Sequence, residues 1–325
     1  MAVSFAEALQ SGAAVEAVEV PFVRYRFVFE VTAPILLPPY SGSTIRGAFG
    51  RALRRTSCMT HQSDCKTCPL YRTCPYTQVF ETPPPPEHPL QKFSQIPNAY
   101  VIEPPKWGRH VYEVGENLEF QMVLFGRVRQ FLPLVIYALQ RAFAYDVGHG
   151  KAELIGVFSV NSNGERRVYA PDMSEVLPHS QSTVLSVPSS EAVALRIETP
   201  MRLQNNGVPL GPEIVTSRNF LSALLRRMAL ISEFQCNMPL SLNFSALTQS
   251  MESVSMKKDL GWKDWQRYSS RQDRKMNLGG VVGSTELEGL TAFHRTLLAV
   301  GQMIHAGKNA TFGLGKYRLL TTGKV

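Results

Sequence analysis

Gly148-His149-Gly150-Lys151 and Gly313-Leu314-Gly315-Lys316 decide how this chain is read. Each tetrapeptide follows an amphipathic helical run and opens an apolar, strand-like run, so one local plan occurs twice. The upstream parts echo as well. Arg46 is followed eight and nine residues on by Arg54-Arg55, as Arg218 is by Arg226-Arg227. Duplication of a small α+β unit with basic residues at matching places points to two modules that make one phosphate-binding surface.

Working outward from the first loop, Arg24 to Thr32 alternates as a strand, with Tyr25, Phe27, Phe29 and Val31 on one face. A helix is expected from Ser43 to Arg55, with Ser41 or Ser43 as its cap. Gly47 and Gly50 inside it imply close approach by another backbone or a ligand, since each weakens a helix interior by about 1 kcal/mol. Leu118 to Arg127 reads as a strand, Leu132 to Ala144 as a helix and Glu153 to Val160 as a strand. Around the second loop the expected elements are a strand from Val193 to Glu198 and a helix from Pro212 or Glu213 to Phe234. A strand from Leu278 to Gly283, a helix from Leu290 to Ile304 and a strand from Tyr317 to Leu320 follow.

Strand, helix, two strands, helix, strand is the ferredoxin-like order, and the first half fits it if Tyr100 to Glu103 supplies the second strand. The expected organisation is α+β: two tandem ferredoxin-like domains. The first spans 21–165, with a Cys- and Pro-rich insertion over 57–110; a Ser- and Pro-rich linker covers 166–190; the second spans 191–325. One long surface loop is the other reading of 166–190.

The chain has 325 residues, 44% of them apolar, and a formal net charge of +8. That charge favours a polyanionic partner, nucleic acid or an anionic membrane surface, over an acidic one. No secretory leader and no apolar run of about 20 residues is visible, so a cytoplasmic protein with no membrane association is expected.

In the terminal loop, Gly313 and Gly315 could turn backbone amides toward an anion, with Lys308 and Lys316 adding charge. Lys151 has the matching place in the first loop. A tight helix-to-strand turn that needs glycine is the alternative. From Lys257 to Lys275 there are seven Lys or Arg and three Asp, interleaved with Trp262, Trp265 and Tyr268. Arg267, Arg271, Arg274 and Lys275 are the candidate phosphate contacts there, and aromatics stack on unpaired bases, which favours RNA. A solvated hairpin face is the alternative.

Cys58, Cys65, Cys68 and Cys74 form a C-x6-C-x2-C-x5-C cluster. Two thiolates two residues apart reach one tetrahedral ion, so a structural zinc is expected, with an iron–sulfur cluster or free thiols as alternatives. His61 competes as a ligand. No catalytic metal is expected: there is no HExxH motif, no paired-carboxylate signature, and acids are sparse near the basic segments. Among seven histidines, His61 follows the first helix, His149 sits in the first glycine loop, and His294 and His305 lie on the last helix.

Asn309 to Leu319, with Gly313-Leu314-Gly315-Lys316 at its centre, resembles the glycine-rich signature of the CRISPR-associated repeat-RNA endoribonucleases of the RAMP superfamily, the Cas-six family. Tyr268 to Gln272 with Leu278 to Gly283 resembles the hairpin region of the same domain. Tyr40 to Gly50 and the cysteine insertion resemble a bacterial branch. The resemblance implies RAMP-type tandem domains of RRM-like, ferredoxin-like fold and binding of CRISPR repeat RNA. It further implies metal-independent cleavage, in which a base activates the 2′-hydroxyl to leave a 2′,3′-cyclic phosphate. Many members carry a histidine on or just after the first helix; Ser43 to Arg55 has none. What transfers is His61 as base or acid, Tyr40 as helper, and Arg46 or Arg55 steadying the phosphorane. Rival readings are a non-catalytic RAMP subunit holding guide RNA among CRISPR effector subunits, and a zinc-stapled protein-interaction module. Direct DNA contact is not expected.

Overall fold

A computed structural model describes residues 2–85, 96–269 and 274–320. The chain divides into two compact units, one of residues 21–181 with 234–236 and one of residues 1–20, 182–233 and 237–325. The chain opens with β1 (Val3–Ser4), α1 (Phe5–Ser11) and β2 (Ala17–Val20), all part of the second unit.

The first unit runs β3 (Phe22–Ala33), β4 (Ile35–Leu37), α2 (Gly42–Ser57), α3 (Pro75–Phe80), β5 (Tyr100–Glu103), β6 (His110–Tyr112), β7 (Asn117–Phe125), α4 (Leu132–Tyr145), β8 (Lys151–Asn161) and β9 (Gly164–Tyr169). Its main sheet has the order β5-β7-β3-β8-β9, antiparallel throughout. Without the edge strand β9 this is the ferredoxin-like arrangement. Strand β3 lies at its centre because Tyr25, Phe27, Phe29 and Val31 all point into the core and are fully buried. Phe27 stacks on Phe120 with centroids 5.4 Å apart and Phe29 on Phe143 at 4.1 Å. Each such burial contributes about 1.5–3 kcal/mol.

Helix α2 forms because Ile45, Ala48, Phe49 and Leu53 make one buried stripe against that core. The glycine signal inside it has a different cause from the one expected. A Cβ on Gly50 would stand 2.3 Å from the Phe80 ring, so an aromatic side chain of α3, neither backbone nor ligand, approaches there.

The second unit continues with β10 (Thr183–Ser186), β11 (Val193–Met201), β12 (Gln204–Asn205), β13 (Val208–Pro209), α5 (Ser217–Cys236), α6 (Phe244–Ser250), β14 (Ser255–Lys263), β15 (Gln266–Ser269), β16 (Arg274–Asn277), β17 (Gly280–Glu288), α7 (Ala292–Ile304) and β18 (Tyr317–Leu320). Its sheet order, β14-β17-β11-β18, repeats β5-β7-β3-β8 position for position. The duplication seen in the glycine loops is therefore a duplication of topology. Helix α5 starts at Ser217, later than expected, because Thr216 and Asn219 close a capping box.

No free linker occupies 166–190. Strand β9 pairs with β8 in the first unit, and β10 pairs antiparallel with β2 in the second. The second unit thus gathers the first twenty residues of the chain.

Candidate functional site

Both glycine loops close the last strand of a unit onto the exit of its first strand. In the first, Gly148 accepts a hydrogen bond at its carbonyl from Leu36 N at 2.9 Å. A Cβ on Gly150 would lie 2.1 Å from the Pro34 carbonyl oxygen. In the second, Gly315 N donates to the Pro200 carbonyl at 3.0 Å, and a Cβ there would lie 1.8 Å from the Ala306 oxygen. Gly313 N donates to Ala310 at 2.8 Å, and Lys316 N to the Thr199 hydroxyl at 2.9 Å. Gly313 and Gly315 are buried with their amides spent inside the loop. These two amides are therefore not turned outward as the expected anion nest requires; of the loop's lysines, Lys308 is exposed and Lys316 half-buried.

The four catalytic candidates do not converge. Tyr40 precedes α2 and His61 follows it, and sixteen helical residues span about 24 Å. Tyr40 is buried under Trp107, centroids 4.8 Å apart. The Arg46 guanidinium lies 4.2 Å over the Phe80 ring and its charge reaches the buried Tyr100 hydroxyl, whose pKa burial raises. Arg55 is exposed near the far end of the helix, 5.3 Å from the Tyr145 ring centroid. His61 is exposed, with a left-handed backbone at φ 53°. One phosphorane cannot touch groups so dispersed, so these residues do not make one site.

Two histidines are brought to the two edges of β4, the short strand that precedes α2. Strand β4 is held on one edge by β6, with Leu37 opposite His110, and on the other by Gly148. His110 and His149 thus flank the same strand, with backbones about 10 Å apart by strand spacing. A hydrogen bond of 2.8 Å joins His110 Nε2 to the Lys106 carbonyl. A carbonyl only accepts, so Nε2 carries a proton, and in the neutral tautomer Nδ1 is the acceptor nitrogen. His149 and Lys151 are exposed on the loop beside it. His110 had no motif to mark it; only the pairing of β4 with β6 brings it to α2.

The basic segment of the second unit is a hairpin. β14 pairs with β17 over nine residues, and β15 pairs with β16 beyond it, Arg267 opposite Met276, Tyr268 opposite Lys275 and Ser269 opposite Arg274. Arg271 lies outside the described residues. Among the described residues Lys257 and Lys258 serve the fold: Lys257 pairs with Glu288 and Glu286, and Lys258 Nζ donates to the carbonyls of Pro212, Glu213 and Val215. Trp265 is 8% exposed and belongs to the core, which removes it as a stacking platform; Trp262 at 39% remains available.

Residues 195–317 match the family model described as CRISPR-associated endoribonuclease Cas6. The second unit therefore carries a Cas6-type domain. Residues 20–181 match a second model, described as an N-terminal domain of AF_1859 type. An uncharacterized protein of Archaeoglobus fulgidus is 26% identical over 292 residues, covering 87% of this chain and 92% of that one. Among solved structures, the product complex of Cas6 (TTHB231) aligns over 92% of this chain and 100% of that chain, with a TM-score of 0.57 and 14% identity. Thermus thermophilus Cas6 (TTHB231) alone gives 0.54 at 15%, over 93% and 99%. A partial Cas6-RT-Cas1–Cas2 complex gives 0.54 at 14%, over 92% of this chain and 46% of that one. At these identities the likeness shows the fold, and the fold agrees: tandem ferredoxin-like units. No helix among the described residues is long and apolar enough to cross a membrane.

The insertion after α2, in the first unit, brings its four thiols together. Cys58, Cys65, Cys68 and Cys74 all line one small pocket, and none is in a disulfide. Cys58 caps the C-terminus of α2 and Cys74 stands at the N-cap of α3. Among the described residues no three His, Cys, Asp or Glu side chains are placed to hold a metal ion.

The two histidines of the last helix are structural. His305 is buried at the helix end, its Nδ1 within 3.2 Å of the Leu314 carbonyl. His294 is the third residue of a capping box: its Nδ1 accepts from Thr291 N, and Nε2 lies 3.2 Å from the Ser250 hydroxyl. Burial holds its pKa down to about 4 from the usual 6.5. A depressed histidine pKa means that the unfolded chain takes up the proton first, so stability falls as pH drops from about 6.5 toward 4. The loss should reach the order of 3 kcal/mol. NMR titration should find the His294 ring neutral down to about pH 4, and His294→Asn should flatten the pH dependence of melting over that range.

Proposed function

We propose that this protein is a Cas6-type endoribonuclease of CRISPR repeat RNA, cutting by attack of a 2′-hydroxyl on the adjacent phosphate. The observation that carries this reading is the Cas6 family match over 195–317 on a unit that ends in the lysine-bearing glycine loop. The chemistry needs a base, an acid for the leaving 5′-oxygen and a cation at the phosphorane. His110, with Nδ1 available, suits the base; His149 suits the acid; Lys151 supplies charge beside them. Tyr40 positions this end of α2 through its packing on Trp107. The repeat RNA and other CRISPR subunits are the partners this reading calls for.

Incubation with repeat RNA in magnesium-free buffer, resolved on a denaturing gel, should give one cut per repeat ending in a 2′,3′-cyclic phosphate. His110→Ala and His149→Ala should each slow it by about 100-fold or more without weakening binding. Tightly bound but intact RNA would replace this reading with that of a guide-holding subunit.

We also propose that the four cysteines hold a structural zinc. Support comes from four free thiols lining one pocket, in a segment with little other structure, between the end of α2 and the start of α3. Such an ion would tie α3, and with it Phe80, against α2. Elemental analysis of protein purified under reducing conditions should find about one zinc per chain, lost in Cys65→Ser/Cys68→Ser with a lowered melting temperature. Iron with a visible charge-transfer band would make it an iron–sulfur protein, and no metal with unchanged melting would leave the thiols free.

A further inference from the structure

Helices α2 and α4 together carry Arg46, Arg51, Arg54, Arg55 and Arg141 and no acidic residue. Two of these cations are used by the fold. Arg46 lies over Phe80, and Arg54 donates to the carbonyls of Gln62 and Ser63. The other three line an open groove of about 410 Å³ between the two helices. Its remaining lining is Ala48, Ala52, Ala142, Tyr145 and Asp146, so the alanines make a low floor between arginine walls.

Two other arginines of the same unit are neutralised: Arg24 pairs with Glu103, and Arg26 with Glu119 and Glu165. Among the described residues none of Arg51, Arg55 and Arg141 forms an ion pair, and Asp146 is the one acid in the groove. Three like charges gathered without an ion pair repel one another, and Arg141 is held by a 3.3 Å hydrogen bond to the Tyr137 hydroxyl. Two large aromatic rings stand beside them: Tyr145 is 69% exposed and Tyr137 48%. The Arg55 guanidinium is 5.3 Å from the first ring and that of Arg141 is 5.8 Å from the second.

We infer that the α2–α4 groove is a second RNA-binding surface, which takes a single-stranded segment of the RNA with phosphates on the arginines and a base against Tyr145. Single-stranded RNA fits better than a duplex because exposed tyrosine faces need unpaired bases, which a helix does not offer. The inference rests on the reading of this protein as one that binds repeat RNA. It places that contact between helices α2 and α4 of the first unit, with Asp146 leading into the loop that carries His149.

Fluorescence anisotropy with labelled repeat RNA carrying single-stranded flanks tests it, using Arg51→Ala/Arg141→Ala and Tyr145→Ala, all at exposed positions. The arginine variant should bind about tenfold more weakly, with the slope of log affinity against log salt reduced by about 1.4 for two lost single-strand phosphate contacts. Tyr145→Ala should lose about tenfold with the slope unchanged, as stacking is not a charge effect. Cleavage at saturating protein should stay at the wild-type rate in both. If the wild type binds the RNA and both variants match it in affinity and slope, the groove is not an RNA surface and the endoribonuclease reading stands. The groove is equally excluded as an RNA surface if the variants keep RNA binding and lose only association with an acidic CRISPR subunit. If the wild type binds no RNA at any salt, the functional reading fails and the groove falls with it.

Discussion

The close approach that a glycine allows at the exit of each first strand is the constraint on which both units depend. In a ferredoxin-like unit the last strand must return beside the first, and the chain arrives there from a helix. Gly150 stands against the Pro34 carbonyl, and Gly315 against Pro200 and Ala306, at separations that a Cβ would fill. Strands β8 and β18 can pair with β3 and β11 because those turns fit. The paired glycine motif recurs because the same turn is needed twice. Lys151 starts the returning strand β8 and Lys316 immediately precedes β18, so the lysine has nearly the same place in both units.

This separates two roles that one short motif carries. The glycines hold the backbone, with amides committed to neighbouring carbonyls; the lysines, beside Lys308 in the second loop, present charge. The same division runs through the rest of the molecule. Arg46, Arg54, Lys257 and Lys258 serve the fold by stacking, capping and pairing. Arg51, Arg55 and Arg141 stand on the surface without ion pairs. A positive net charge is therefore not a map of any one binding surface, and each cation has to be assigned by what faces it.

Most of the architecture was legible in the sequence because it follows from periodicity. The alternation of Tyr25, Phe27, Phe29 and Val31 gave β3, and the spacing of Ile45, Phe49 and Leu53 gave α2. Where sequence reading failed, a nonlocal contact decided. Gly50 answers to Phe80, thirty residues on, and β10 is a strand only because β2 offers it an edge. The strand from Leu278 to Gly283 was read too short and too early, because Thr285 and Glu286 look polar until β14 lies beside them. The candidate site was least legible. Tyr40 and His61 are close in sequence, yet a helix stands between them. His110 and His149 are 39 residues apart and flank one short strand.

The measurement that tests the account most directly compares Gly315→Ala with Lys316→Ala, following thermal melting and repeat-RNA affinity for each. Gly315→Ala should melt several degrees lower, since a left-handed residue forced into contact costs about 1–3 kcal/mol, and it should bind RNA normally while folded. Lys316→Ala should melt like the wild type and bind about tenfold more weakly, with a salt slope reduced by about 0.7 to 0.9 for one lost phosphate contact. Normal melting with lost RNA binding in Gly315→Ala would contradict the account, and would return the glycine amides to the RNA site.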